Sequence, residues 1–162
     1  VNLEQRLASS DPDGFERGIL ENVRDHGWSV VLIPEDQEGP GFAFTVGLEH
    51  SFDHPELVMI GQKLENMHGI INAAGERIRG GDIVQTGVPT DNVLEGYDAV
   101  FLEIDQTHFP EWLGTARWFY GGDNFRALQL VYPDRLSRFP WDAGVHPDFV
   151  AAQPILGTID QP

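Results

Sequence analysis

Two histidines four residues apart, His50 and His54, stand in the stretch LEHSFDHPEL, with Asp53 between them and Glu49 and Glu56 outside. Neutral imidazole nitrogen and ionised carboxylate oxygen both ligate divalent cations, so a metal-dependent hydrolase using His50, Asp53 and His54 is one chemistry these residue types allow. A four-residue spacing aligns two imidazoles only on a helix, as in the zinc-protease pattern, which also carries a glutamate between them. Here that glutamate is missing, and Pro55 pushes His54 out of helical geometry. The stretch therefore reads as a connection between two strands, without a metal, whose first histidine reaches a pocket. His50 is then the candidate catalytic group, a proton donor, because imidazole titrates near neutral pH without perturbation.

Other chemistries find less support. Ser9, Ser10, Ser29, Ser51 and Ser137 lack a nucleophile elbow, since no G-x-S-x-G occurs. Neither G-x-G-x-x-G nor a G-x-x-x-x-G-K phosphate loop is present. Acid pairs such as Asp53/Glu56 and Asp134/Asp142 suit acid–base work, but a chain with 26 acids contains such pairs by chance. Trp112, Trp118, Phe119 and Tyr120, with Phe139, Pro140 and Trp141 further on, are explained by core packing. The sharper alternative is a flat-ring ligand stacked on one or two of them, hydrogen-bonded by Thr45, Asn72, Arg126 and Gln129. Arg126 and Gln129 fall in one strand run three residues apart, so only one of them can face such a pocket.

Composition narrows the partners. The chain has 162 residues, a length suited to one domain, and sets 10 Lys and Arg against 26 Asp and Glu for a net charge of −16. Binding a phosphate backbone requires many cations to displace counterions, so no nucleic acid is expected. A basic protein partner fits the charge, as it would for an immunity-type inhibitor of a basic toxin or nuclease. With no cysteine there is no disulfide, thiolate zinc site or Cys nucleophile. No run is long enough to span a membrane, and the opening VNLEQRLASSDPDG lacks the plan of a signal peptide, so a cytoplasmic location is expected.

The elements that must position these groups follow from periodicity. Residues 1–10 read as a polar lead, and Ser10-Asp11-Pro12 as a helix cap with proline in the first turn. Phe15, Ile19, Leu20 and Val23 share a helical face that Gly27 terminates. Residues 28–33 and 42–48 form a hairpin across the turn-rich PEDQEGPG, and 57–61 a third strand. Met67, Ile70, Ile71, Ala74 and Ile78 predict a second helix closed by Gly80-Gly81, although Gly69 and Gly75 each weaken it by about 1 kcal/mol relative to alanine. Strands at 82–86 and 98–106 flank an irregular GVPTDNVLEGY; a helix over 108–122 and a strand over 125–132 follow, and 133–162 is an irregular tail wrapping the surface. Strands in clusters argue α+β, a mainly antiparallel sheet or split-barrel-like β core with two to three flanking helices in a single domain.

Seven ordered blocks carry a resemblance: HGWSVVLI, FAFTVGL, HPELVMIG, IRGG, QLVYPD, FPWD and QPILG. Together they resemble the bacterial family called domain of unknown function 4262, which implies no activity. A glycine-bearing strand, then PEL-V and apolar residues, then a helix rich in Asn and Gly is also similar to the flavin-reductase-like split β-barrels. That likeness implies a flavin, or sometimes haem, held at a homodimer interface. Thr45 and Gly47 would lie near it, with Asn72 as a phosphate or ring partner and Arg77 or Arg79 neutralising phosphate; the pocket residues expected are Thr45, Gly47, His50, Asn72 and Trp118. His50 would serve as proton donor or axial ligand. The expected function is thus a small-molecule or cofactor-binding protein, in the narrower form a flavin- or haem-dependent oxidoreductase, with the acidic interaction protein as its rival.

Overall fold

The computed structural model describes residues 1–11 and 14–159. Six strands make one sheet: β1 (Ser29–Ile33), β2 (Phe42–Val46), β3 (Glu56–Ile60), β4 (Pro89–Leu94), β5 (Tyr97–Glu103) and β6 (Ala127–Val131). Their order is β1-β2-β3-β6-β5-β4, with every pair antiparallel except β3 and β6. The sheet is open, with β1 and β4 as its edges, and it is the mainly antiparallel sheet expected.

Seven α-helices lie among the described residues, against the two or three expected: α1 (Leu3–Ser9), α2 (Phe15–His26), α3 (Leu48–Phe52), α4 (Leu64–Arg79), α5 (Phe109–Trp112), α6 (Gly114–Tyr120) and α7 (Pro147–Ala152). The excess is short pieces. The expected helix over 108–122 breaks at Leu113 into α5 and α6. The polar lead is α1, capped by the Asn2 side chain and anchored by buried Leu7. Pro12, expected in the first turn of α2, lies outside the described residues; α2 starts after Gly14. The stretch 82–86 is no strand, contributing only the bridge from Thr86 to Phe101, whereas the irregular 87–97 contains β4. Beyond residue 132, α7 and a bridge from Ile104 to Gly157 are the regular structure.

Strand alternation sends side chains to two cores. Phe44, Val46, Val58 and Ile60 meet Ile19, Leu20 and Val23 of α2 and Phe109 and Phe119 of α5 and α6. Ala43, Leu57, Met59 and Leu128 meet Met67, Ile71, Ala74 and Ile78 of α4. Covered on both sides, β3 and β6 are buried at every position. That burial forces any polar group on them to find partners inside the protein.

The two glycines within α4 differ in surroundings. A methyl group on Gly75 would lie 2.7 Å from the Trp28 ring, whereas nothing stands within 4 Å of one on Gly69. Gly75 lets α4 close on Trp28, whose indole donates to the Asn72 side chain at 3.0 Å. Gly69→Ala is therefore expected to stabilise the fold by up to about 1 kcal/mol, and Gly75→Ala to destabilise it by about 1–3 kcal/mol. Urea denaturation of the two variants checks the opposite signs.

Candidate functional site

Glu56 opens β3 and is fully buried, a carboxyl group at the head of an otherwise apolar strand. Its partners come from the chain that leaves β2. Oε1 accepts from the Thr45 hydroxyl at 2.8 Å and the Leu48 amide at 3.0 Å. Oε2 accepts from the Gly47 amide at 3.1 Å, the Glu49 amide at 3.2 Å and the Tyr120 hydroxyl. The His50 amide in turn donates to the Tyr120 oxygen at 3.2 Å. One carboxylate and one phenol thus satisfy the first amides of α3, a five-residue helix whose own N-cap offers no side chain.

Local sequence makes this approach possible. Gly47 sits at φ +121°, and a Cβ there would fall 2.6 Å from the Gly27 carbonyl oxygen. At the other end Asp53 takes the left-handed conformation, φ +53°, and turns the chain back to β3.

Burial pushes the Glu56 carboxyl up to about 7, against the hydrogen bonds from Tyr120, Thr45 and the α3 amides that pull it down. Burial, and then the neighbouring Glu56 charge, likewise raises the Tyr120 phenol. Both hydroxyls are set to donate: the Thr45 oxygen already accepts from the Leu57 amide at 2.9 Å, and the Tyr120 oxygen from His50. The five donors favour the ionised form, and burial opposes them.

Past α3 the chain forms a wall of a cleft of about 680 Å³, closed on other sides by residues 81–86, Glu103, Arg126 and Leu128. His54 belongs to this wall and is only 7% exposed. Its Nδ1 is 2.8 Å from the Pro55 carbonyl oxygen, which can only accept, so Nδ1 carries the proton. Nε2 is left with a lone pair and no partner among the described residues. Every fully buried side-chain nitrogen or oxygen there has a partner, so Nε2 is not fully buried, and it belongs to a residue that lines the cleft. Burial lowers the His54 basicity; the Pro55 carbonyl opposes this and the Arg126 charge adds to it. Arg126 is held at the rim by Glu49, with Nε at 3.1 Å and Nη2 at 3.0 Å from its carboxylate, and by the Asp53 carbonyl at 2.9 Å.

The residues nominated from sequence do not meet in one pocket. Thr45 and Gly47 belong to the Glu56 cluster. His50 is exposed on α3, its ring edge-on to Phe119 at 5.9 Å, and burial of part of the ring lowers its basicity. Asn72, on α4, bonds the Trp28 indole and the His68 ring. Trp118 packs on the opposite core, with the Arg6 guanidinium 4.3 Å above its ring. The Thr45 hydroxyl and Gly47 amide are committed to Glu56, so this donor set does not fit a flavin phosphate. Gln129 and Arg126 part as their spacing requires: Gln129 is buried, donating to Pro154 O and accepting from Leu156 N, while Arg126 faces solvent. Among the described residues, no three His, Asp or Glu side chains are placed to hold a metal ion. Glu56 and Tyr120 were missed as a pair; the available signal was one acid heading an otherwise apolar strand, ELVMI.

Because folded Glu56 protonates near 7 and an unfolded glutamate near 4.5, the folded state holds the extra proton between those values. The Glu56 contribution to stability is thus fully present below about pH 4.5 and is lost as pH rises through 7, a difference of a few kcal/mol. Tyr120→Phe removes a hydrogen bond to the ionised form and should move the Glu56 midpoint still higher, costing about 1–3 kcal/mol at pH 8. Carboxyl ¹³C NMR with Glu56→Gln as the blank, and urea melts across pH, test both statements.

A family model described as a domain of unknown function, DUF4262, matches residues 22–146. No curated protein and no solved structure matches the chain.

Proposed function

The chain belongs to the DUF4262 family, whose description states no activity, and from its own site we propose that it is a small-molecule-binding protein with the His54 cleft as its binding site. The observation that carries this reading is the unpartnered Nε2 of a nearly buried, neutral imidazole on a cleft large enough for a small ligand. Nε2 accepts a hydrogen bond from the ligand, and the Nδ1 bond to Pro55 holds the tautomer that lets it do so. Phe52, Ile78 and Leu128 supply apolar wall, and Arg126, fixed by Glu49, a charged rim. The Glu56 cluster holds α3 so that these groups keep their places without the ligand, which lowers the ordering cost of binding.

A haem-dependent oxidoreductase is a narrower form of this proposal. The residue that would hold haem is His54, whose free Nε2 is the kind of donor haem iron takes. Bound there, haem would supply redox chemistry.

The test is a screen of the full chain against a few hundred small molecules of mixed charge, read by amide and histidine ¹⁵N NMR, with visible spectra for haemin. Ligands of the cleft should move the His54 Nε2 resonance and the amides of residues 52–55, 81–86 and 126–128. Hits that map elsewhere, or none, overturn the proposal.

A further inference from the structure

Charge and hydrogen-bonding capacity in this cleft select among ligands. The cleft that His54 lines is also lined by Asp53, Asp82 and Glu103, against the single cation of Arg126. That cation is already engaged: its guanidinium bonds Glu49 and the Asp53 carbonyl, and lies 3.5 Å from the Asp53 carboxylate. Asp82 is paired with Arg77 at 3.0 Å. Glu103 makes no side-chain hydrogen bond or contact ion pair among the described residues, although its charge is felt at Arg126, and it is exposed on the cleft. An anion entering here would meet three carboxylates and a guanidinium whose charge is largely balanced.

Resting on the small-molecule reading above, we propose that the ligand is an organic cation, a protonated amine on an apolar body. An ammonium has only donors, and the cleft offers acceptors: the His54 lone pair and the unpaired Glu103 carboxylate. Ile78, Val84 and Leu128 in the same cleft take the apolar body. The −16 net charge of the chain works in the same direction, drawing cations toward the surface at low ionic strength. Two independent features thus converge. One is a nine-tenths-buried imidazole that still lacks a donor, and the other an unpaired carboxylate in the same cavity.

Three probes of one shape separate the charge classes: benzylammonium, benzyl alcohol and benzoate, each titrated into the full chain and followed by ¹H–¹⁵N NMR. Benzylammonium should bind tightest of the three and move the amides of residues 52–55, 81–86 and 126–128. Glu103→Gln, an exposed substitution that leaves the cores intact, should weaken benzylammonium about fivefold, the size expected of a partly exposed ion pair. It should leave benzyl alcohol unchanged, and added NaCl should weaken only the cation. Benzoate or benzyl alcohol binding in the cleft as tightly as benzylammonium overturns the organic-cation assignment and leaves the cleft a binding site. So does an unaltered benzylammonium affinity in Glu103→Gln. If none of the three binds there, the assignment falls; the broader reading falls with it only if the mixed-charge screen also yields no ligand of the cleft.

Discussion

Everything near the site hangs on one buried carboxylate. Glu56 gathers the end of β2, the start of α3 and the end of α6 around a single pair of oxygens, through Thr45, three consecutive amides and Tyr120. A helix of five residues has no stability of its own in water, because nucleation fixes several residues for very few hydrogen bonds. Here its exposed amides find a fixed anion, and the anion finds enough donors to tolerate complete burial. Neither half would persist alone. An apolar residue at 56 would strand the amides that now reach its carboxylate inside the fold, and a longer or freer loop would strand the charge.

The same arrangement explains why the group is poised rather than deeply acidic. Desolvation drives the carboxyl upward and the donors drive it down, leaving it near 7. The phenol of Tyr120 stays protonated throughout, since both its burial and the adjacent charge oppose ionisation. It therefore remains a donor to Glu56 and an acceptor for His50, a hinge between the carboxylate and the last of the first α3 amides. Rigidity at the start of α3 passes to its end through the helix itself, and there Arg126 clamps Glu49 and the Asp53 carbonyl.

Much of the architecture was legible because burial writes itself as periodicity. The α2 and α4 faces, the β1–β2 hairpin and the apolar β3 and β6 runs all appear as spacing of apolar residues. What escaped were elements whose residues are polar or few. Strand β4, PTDNVL, is an edge with little to bury, so it left no apolar pattern. Helix α1 has one buried side chain, Leu7, and α3 only Leu48. The histidine stretch read as a plain connection because of Pro55, but α3 forms ahead of it and has already ended at Phe52, with Asp53 left-handed, before Pro55 is reached. Thr45 and Gly47, expected as cofactor contacts, have their hydroxyl and amide on Glu56.

The cleft itself depends on the parallel pairing of β3 with β6, the one parallel pair among the six strands described. Glu56 of β3 lies opposite Ala127 of β6, with both strands running the same way, so the residues just before each strand emerge together. His54 and Arg126 are therefore neighbours across 72 positions of sequence. Had β6 run antiparallel to β3 like every other pair, Arg126 would sit at the far end of the sheet, beside Gly61. Residue type and spacing hold no trace of such a meeting, since it is set by topology alone. Glu56 takes part at this junction twice. Its amide donates to the Arg126 carbonyl at 2.9 Å and fixes the register of the parallel pair, and its carboxylate holds the helix that presents His54. One residue thus ties the strand pairing that brings His54 and Arg126 together to the helix that keeps them in place.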